Sequence, residues 1–420
     1  MKAIDVPAPL PVEVVTIGNE LLLGYTTDTN GAYLSRQLAE IGVPVSRRTS
    51  VGDTLFSIEA AVGDALGRSK GVITTGGLGP TSDDVSKAAV AKLFGRKLVI
   101  DEEHVAWMQD RWRTRFGREM PRSNMMQAAV PEGATKLVNH HGSALGVFIE
   151  DERGWVAMLP GVPRELRGMT DDTLIPLLAK RVPSGSVIQS HTLRATGVAE
   201  SLLGDQLQDL ELGDDMSLAY LPSAEGVDLR LTLSGRSRES GAPLLALAAK
   251  RVRAIVGDAV YGDNDDDLAA VVLSHCRRRH ETIAIAESCT GGLLGARLTA
   301  IPGSSDVVLG GVVAYHDDVK RTMLGVSEAD LTTHGAVSEP VVRQMAAGAR
   351  ERFGSTIAMA ITGIAGPGGG TPDKPVGTVW IGVDIGGDLS ARRFSMIGDR
   401  EEIRRRSVQA TLEMTRRRLT

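Results

Sequence analysis

Between Val12 and Phe94 short β-branched runs alternate with amphipathic stretches, and no other feature of the 420-residue chain restricts its fold as much. Residues 12–17 are an apolar run that ends at Gly18, and 28–40 carry helical spacing through Leu34, Leu38 and Ile41. Residues 43–51 read as a strand, 54–66 as a helix, 71–75 as a buried strand running into Gly76-Gly77, and 82–94 as the next helix. Strand and helix in strict alternation predict a parallel sheet covered by helices. Polar helical stretches follow at 102–116 and 123–129, then short strands at 136–138, 146–149 and 155–159, then a helix over 163–178.

Pro183-Ser184-Gly185-Ser186 reads as a linker-like break. Beyond it a small α+β unit is expected, with strands at 191–196, 217–221, 227–234 and 259–261 and helices at 200–210 and 243–255. The acidic run 263–267 marks a second boundary and supplies an N-cap for the following helix. Helix and strand then alternate again to Thr420. One core does not serve a chain of this length, and the breaks divide it into 1–172, 173–262 and 263–420. No solenoid-type repeat is visible.

Composition narrows the function class. The formal net charge is −5 and the sequence pI about 6.0, so the chain has no global basic footprint for nucleic acid. Aromatic residues make up 4%, which supplies few stacking platforms for bases. The clusters Arg277-Arg278-Arg279, Arg404-Arg405-Arg406 and Arg416-Arg417-Arg418 are read as solvated helix ends and faces. Two cysteines, Cys276 and Cys289, form neither a disulfide framework nor a zinc cluster, which suits a reducing cytoplasm. No secretory h-region and no membrane-length apolar run is present in the sequence.

Two stretches carry chemistry. In the last third, a β-branched run at 282–285 leads into Ala286-Glu287-Ser288-Cys289-Thr290-Gly291-Gly292 and then a helix. A hydroxyl, a thiol and two glycines therefore sit where free N–H groups and the helix dipole favour developing negative charge. Acyl transfer needs a nucleophile beside such donors. An ordinary Ser cap with a Gly turn has the same sequence appearance. Further on, a strand carries Tyr315, with His316, Asp317 and Lys320 after it, and Gly363 to Gly370 form a Gly-rich loop. No Ser–His–Asp triad is recognised; His316 and His334 are candidate bases, and Ser with Lys is the alternative. Cys289 is a competing nucleophile, read here as core packing.

In the first third, Thr74-Thr75-Gly76-Gly77-Leu78-Gly79-Pro80-Thr81-Ser82-Asp83-Asp84 joins a buried strand to a helix. Glycines there allow close backbone approach to a phosphate, past the carboxyl end of a strand. The loops Gly18-Asn19-Glu20 and Val51-Gly52-Asp53 are expected to converge on it. Glu20, Asp53, Asp83 and Asp84 would then surround a phosphate cradle, the usual setting of a hard divalent cation. The same acidic residues also suit helix caps and first turns.

Taken together, these motifs resemble the CinA family (competence/damage-inducible protein A). The carriers are Gly18-Asn19-Glu20-Leu21-Leu22-Leu23-Gly24, Asp28-Thr29-Asn30, Val51-Gly52-Asp53, Thr75 to Thr81 and Leu159 to Leu166, then Gly197-Val198-Ala199-Glu200-Ser201 and Tyr220-Leu221-Pro222. The last third adds Ala286 to Gly292, Gly335 to Pro340 and Gly363 to Pro367. The resemblance implies an α/β chain: an N-terminal molybdopterin-binding-like three-layer domain of MogA/MoeA type, a small α+β KH-like connector, and a C-terminal α/β deamidase domain. No Gly-x-x-Gly nucleic-acid clamp is seen in the connector, so direct nucleic-acid binding is not expected.

By the same resemblance the C-terminal domain hydrolyses nicotinamide mononucleotide to nicotinate mononucleotide and ammonia, with no cofactor. Ser288 would be the nucleophile, Lys320 its base, and Tyr315 a positioning group. Glu287, Thr290, Gly291, Gly292, Thr362, Gly363 and Arg400 would bind substrate, with N–H groups near Thr290 and Gly291 holding the oxyanion. The N-terminal domain would split ADP-ribose at its pyrophosphate with a divalent cation (Mg, Co or Mn type) and K⁺. Its nucleotide would lie on Glu20, Asp53, Gly76, Gly77, Gly79 and Thr81, and its metal on Asp83 and Asp84. A cytoplasmic homodimer recycling pyridine nucleotides is implied, with no membrane partner. The alternatives are a non-catalytic nucleotide or pterin carrier, and an interaction protein in competence or DNA repair. Two departures stand out. Asp317 replaces the family's Asn and either brings a carboxylate near the base, which would weaken it, or faces solvent, and 139–146 lack the usual second Pro.

Overall fold

The computed structural model describes residues 11–182 and 187–420, so the break at 183–186 lies outside the described residues. The chain separates into two compact units, Met1–Gln189 with Leu233–Pro243, and Ser190–Thr232 with Leu244–Thr420.

The strands and helices of the first unit are, in order, β1 (Val12–Ile17), α1 (Asn19–Leu22), α2 (Thr29–Glu40), β2 (Val45–Val51), α3 (Leu55–Ser69), β3 (Gly71–Thr75), α4 (Ser86–Leu93), β4 (Leu98–Ile100), α5 (Glu102–Phe116), β5 (Ala129–Pro131), β6 (Thr135–Leu137), β7 (Gly146–Asp151), β8 (Gly154–Leu159), α6 (Pro163–Met169) and α7 (Ile175–Ala179). The main sheet has the order β2-β1-β3-β8-β7-β6. β1, β2, β3 and β8 run parallel, whereas β7 is antiparallel to both β8 and β6. The sheet is therefore mixed, where sequence alternation alone predicted a parallel one. Successive strand residues face opposite sides. Val15 and Ile17 pack with Ile58, Val62 and Val90 on one side, and Val12 and Val14 with Leu34, Leu38 and Leu166 on the other. Burial on both faces explains why β3 is an uninterrupted run of apolar or small residues and why β1 is broken only by Glu13, which is buried against Arg68.

Helix α4 starts at Ser86, later than the periodicity predicts. The Asp84 carboxylate accepts from both the Thr81 N–H (2.9 Å) and the Thr81 hydroxyl, and so holds 81–84 as a turn rather than a first helical turn. The β4–β5 pair is a second small sheet with no counterpart in the sequence reading, and 122–128 form a 3₁₀ segment.

The remaining elements are β9 (Val187–Ala195), α8 (Glu200–Leu207), β10 (Met216–Pro222), β11 (Val227–Arg236), α9 (Arg238–Val256), β12 (Val260–Asp263), α10 (Leu268–Arg279), β13 (Ile283–Glu287), α11 (Leu293–Thr299), β14 (Val308–Val313), α12 (Asp317–Leu324), α13 (Glu328–His334), α14 (Glu339–Phe353), β15 (Ile357–Gly363), β16 (Thr378–Ile385), β17 (Asp388–Ser395) and α15 (Arg400–Leu419). A four-stranded sheet has the order β10-β11-β9-β12. The five-stranded sheet of the second unit has the order β14-β13-β15-β16-β17, parallel from β14 to β15 and antiparallel beyond. Ile283 and Ile285 pack with Leu273 and Leu412 on one face, Ala284 and Ala286 with Val342 and Ala346 on the other. Asp267 caps α10 by accepting the Ala269 N–H at 2.8 Å. Among the described residues no helix is long and apolar enough to cross a membrane.

Candidate active sites

Three parallel strands of the second unit end side by side, which brings distant residues together. β13 ends at Glu287, and the Ala314 N–H donates to the Glu287 carbonyl at 2.7 Å, so the turn holding Ser288 lies against the turn holding Tyr315. On the other side the Ser288 N–H donates to the Ile361 carbonyl of β15 at 2.9 Å. Lys320, in the first turns of α12, is only 1% exposed. Its Nζ donates to the Tyr315 carbonyl (3.3 Å) and to Asp317 Oδ1 (3.0 Å). The Asp317 side chain is half exposed, so the pair is open to solvent on one side only. Ser288 is nearly buried, and its hydroxyl makes no hydrogen bond among the described residues.

The turn itself is held from two directions. Glu287 is fully buried, and its carboxylate accepts the N–H groups of Gly292 (3.0 Å), Leu294 (3.0 Å) and Gly295 (2.8 Å). From α15, Arg404 donates Nη2 and Nε to the Thr290 carbonyl at 2.7 and 3.3 Å. The Gly291 N–H closes the turn on the Ser288 carbonyl at 3.1 Å, while the Cys289 and Thr290 N–H groups have no acceptor among the described residues. Gly291 and Gly292 both have positive φ, which lets the chain reverse here without strain. Arg400 joins Tyr315 Oη (3.1 Å) to the Gly366 carbonyl (2.6 Å), which ties the Gly-rich loop to the strand end.

Other candidates fall away from the chemistry. Burial pushes the Cys289 thiol up to about 12, and an added Cβ at Gly363 would lie 3.1 Å from its sulfur, so Cys289 is packed rather than poised to attack. His316 caps α12, its Nδ1 accepting the Asp318 N–H at 3.2 Å, and His334 lies in the last turn of α13.

In the first unit, the loops after β1, β2, β3 and β8 line one cavity of about 360 Å³, whose wall includes Glu20, Asp53, Gly76, Gly77, Gly79 and Glu165. Gly76 and Gly77 take positive φ, and side chains there would strike the Ile17 carbonyl and the Ser86 hydroxyl. Asp53 Oδ2 accepts the Asn19 N–H at 3.0 Å, and Glu165 Oε2 accepts Asn139 Nδ2 at 2.6 Å. Asn30 bolts the floor, with Nδ2 donating to Thr75 Oγ1 (3.1 Å) and to the Gly161 carbonyl (2.7 Å).

A CinA-like protein of Gemmatimonas aurantiaca is 56% identical over 411 residues, covering 97% of this chain and 96% of its own length. The chain belongs to the CinA family. The CinA-like protein of Salinibacter ruber is 43% identical over 98% of this chain and 100% of its own length. A putative competence-damage inducible protein of Moorella thermoacetica is 42% identical over 96% and 97%. The profile of the probable molybdopterin binding domain matches residues 13–180, that of the damage-inducible protein CinA KH domain 190–262, and that of the CinA C-terminal domain 265–419. This CinA chain is thus an α/β protein of three domains. Among solved structures, the competence/damage inducible protein CihA of Agrobacterium tumefaciens shares 44% identity over 35% of this chain and 90% of that one, with a TM-score of 0.35.

Within this CinA chain several expected site residues have other work. The Glu287 carboxylate is spent on helix N–H groups, which makes it a positioning residue rather than a substrate ligand. The Gly291 and Gly292 N–H groups are likewise engaged, so the N–H groups of this turn left without an acceptor among the described residues are those of Cys289 and Thr290. Thr362 is buried and donates its hydroxyl to the Ala336 carbonyl at 2.8 Å. Thr81 does not line the N-terminal cavity; it and Asp84 satisfy each other in the turn, while Asp83 is exposed on the cavity rim. The arginine clusters are not uniformly solvated faces: Arg416 is buried, bonded to Glu413, and Arg405 pairs with Glu225 at 3.2 Å. Arg404, Gln127 and Glu165 were not singled out from the sequence as site residues, although Arg404 lies one helical turn past Arg400.

Replacing Glu287 with Gln is expected to destabilise the protein by about 2–4 kcal/mol, since a buried carboxylate accepting three N–H groups is exchanged for a group that presents an N–H to N–H clash. Chemical denaturation measures it; an unchanged midpoint would refute this account of the turn.

Proposed function

We propose that the C-terminal domain hydrolyses the carboxamide of nicotinamide mononucleotide through Ser288 and Lys320. The observation that carries this reading is a hydroxyl free of partners among the described residues on the Ser288 turn, which lies against the Tyr315 turn whose carbonyl accepts from the buried Lys320 amine. The Lys320 amine takes the Ser288 proton as Oγ bonds to the carboxamide carbon. The carbonyl oxygen gains the negative charge and meets the Cys289 and Thr290 N–H groups. Collapse of the adduct breaks the C–N bond, and the nitrogen takes the proton from Lys320 and leaves as ammonia. Water then adds to the ester, with Lys320 accepting its proton, and nicotinate mononucleotide departs as Ser288 is restored. Asp317 anchors the amine, and Arg400 with Tyr315 borders the space left for the substrate.

For the N-terminal domain the reading is hydrolysis of ADP-ribose at its pyrophosphate. The cavity past the strand ends, with Gly76 and Gly77 opening the backbone to an anion, supports it. No group of three or more His, Cys, Asp or Glu able to hold a metal occurs among the described residues. The oxygen donors of Glu20 and Asp53 suit instead a hard cation of Mg type, which binds through one or two carboxylates plus substrate phosphates. Such a cation would neutralise charge on the pyrophosphate. The homodimer is part of the same proposal.

The test is to incubate the purified protein with nicotinamide mononucleotide without added metal, following ammonia and nicotinate mononucleotide. Wild type is expected to form both, and Lys320→Ala to lose at least ~100-fold in rate. No product from wild type would overturn the deamidase reading in favour of a carrier or a partner-binding role.

A further inference from the structure

A cavity of about 790 Å³ lies in the second unit, between the 196–200 and 222–227 loops on one side and β17 with α15 on the other. It belongs to neither site described above. Its size falls in the range of small-molecule sites. One part of the wall is apolar, formed by Val198, Phe394, Met396, Ala410 and Met414. Arg392 stacks over the Phe394 ring, 5.0 Å from its centroid, so a guanidinium and an aromatic face stand together.

The charges of the wall are unevenly satisfied. Glu225 is paired with Arg297 (3.3 Å) and Arg405 (3.2 Å), Glu413 with Arg416 and Arg417, and Arg418 with Asp388 (2.7 Å). Arg406 lines the cavity without an ion-pair partner among the described residues, and its Nε is buried with no hydrogen-bond acceptor. That Nε is enclosed by protein, so what a ligand in the cavity can pair with is the charge at the Nη end of Arg406. Arg392 also has no carboxylate partner among the described residues, against one exposed carboxylate, Glu200, that is likewise unpaired. The wall therefore offers two uncompensated guanidiniums beside an apolar, partly aromatic surface.

We propose that this seam cavity binds a nucleotide, a small molecule with a phosphate that satisfies Arg406 and a flat ring held by Phe394, Met396 and Met414. Arginine favours phosphate because its N–H groups match the oxygen geometry, and a guanidinium stacked on an aromatic ring gives a planar base a surface of both kinds. The site is separate from the deamidase turn.

Equilibrium dialysis of full-length protein with adenosine 5′-monophosphate tests it, comparing wild type with Arg406→Gln and with Ala410→Trp, which fills the cavity. Arg406 has no protein partner to lose, so its variant keeps the fold even where the bulkier one does not. Each folded variant is expected to bind one nucleotide per chain fewer than wild type, with ammonia release from nicotinamide mononucleotide retained in both. An unchanged stoichiometry in Arg406→Gln would overturn the proposal whatever the fate of the deamidase reading. Inorganic phosphate is expected to compete at least ~10-fold more weakly than the nucleotide, and equal competition would remove the ring from the assignment.

Discussion

Ser288→Ala is expected to lower deamidase turnover by at least ~100-fold while leaving the affinity for nicotinamide mononucleotide within a few-fold of wild type. The separation follows from the geometry. The backbone of Ser288 holds the turn through its N–H to Ile361 and its carbonyl to Gly291, and the hydroxyl takes no part in either bond. Its removal takes away the attacking atom and leaves the turn, the Cys289 and Thr290 N–H donors and the Arg400 contacts in place. Turnover assays and equilibrium dialysis on the same preparation read the two halves. A variant that retained more than a tenth of wild-type turnover would sink the nucleophile assignment. A variant that lost substrate binding as well would show that the hydroxyl holds the ground state.

Lys87→Met is expected to stabilise the N-terminal unit near pH 7, with the gain shrinking as pH rises toward 10. Lys87 is buried on α4, and its Nζ donates to the Gln127 carbonyl at 2.6 Å with no carboxylate in ion-pair range among the described residues. Burial lowers its pKa from 10.5 to about 7. Between those values the unfolded chain binds more protons than the folded one, so wild-type stability rises with pH through that window and levels off below about 7. A shift of this size corresponds to about 5 kcal/mol across the window. Methionine fills similar volume without the charge but leaves the Gln127 carbonyl without its donor, at a cost of about 1 kcal/mol, so wild type should equal or exceed the variant at high pH. Urea unfolding followed by fluorescence of Trp107, Trp112 and Trp155 gives the comparison. A stability difference independent of pH between 7 and 10 would refute it.

What could be read from the amino acids depended on whether the deciding interaction was local. Helix α5 was legible at both ends, because Asp101 accepts the His104 N–H at one and Gly117 takes positive φ at the other. The late start of α4 was not, because apolar spacing is blind to the Thr81–Asp84 bonds that hold a turn there. Antiparallel β7 was equally hidden, since alternation reports which face is buried and not the direction of a neighbour. Ser288, Lys320 and Tyr315 were singled out through their motifs, and register explains how the turns after β13 and β14 come to lie side by side. The role of Glu287 was misread because a carboxylate at a strand end has the same appearance whether it faces a ligand or an N-terminal helical turn. Arg404 and Arg406, two residues apart and so on opposite sides of α15, face separate places, and only their orientation on the helix distinguishes them.

Both cysteines are buried, and burial pushes their thiols up to about 12. Thiolate is the form that peroxide and electrophiles attack, and neither sulfur supplies it at neutral pH. With a hydroxyl as its proposed attacking atom, the C-terminal domain has no cysteine thiolate on which the proposed step depends. Turnover by this domain is therefore expected to persist under peroxide that silences enzymes with a thiolate nucleophile.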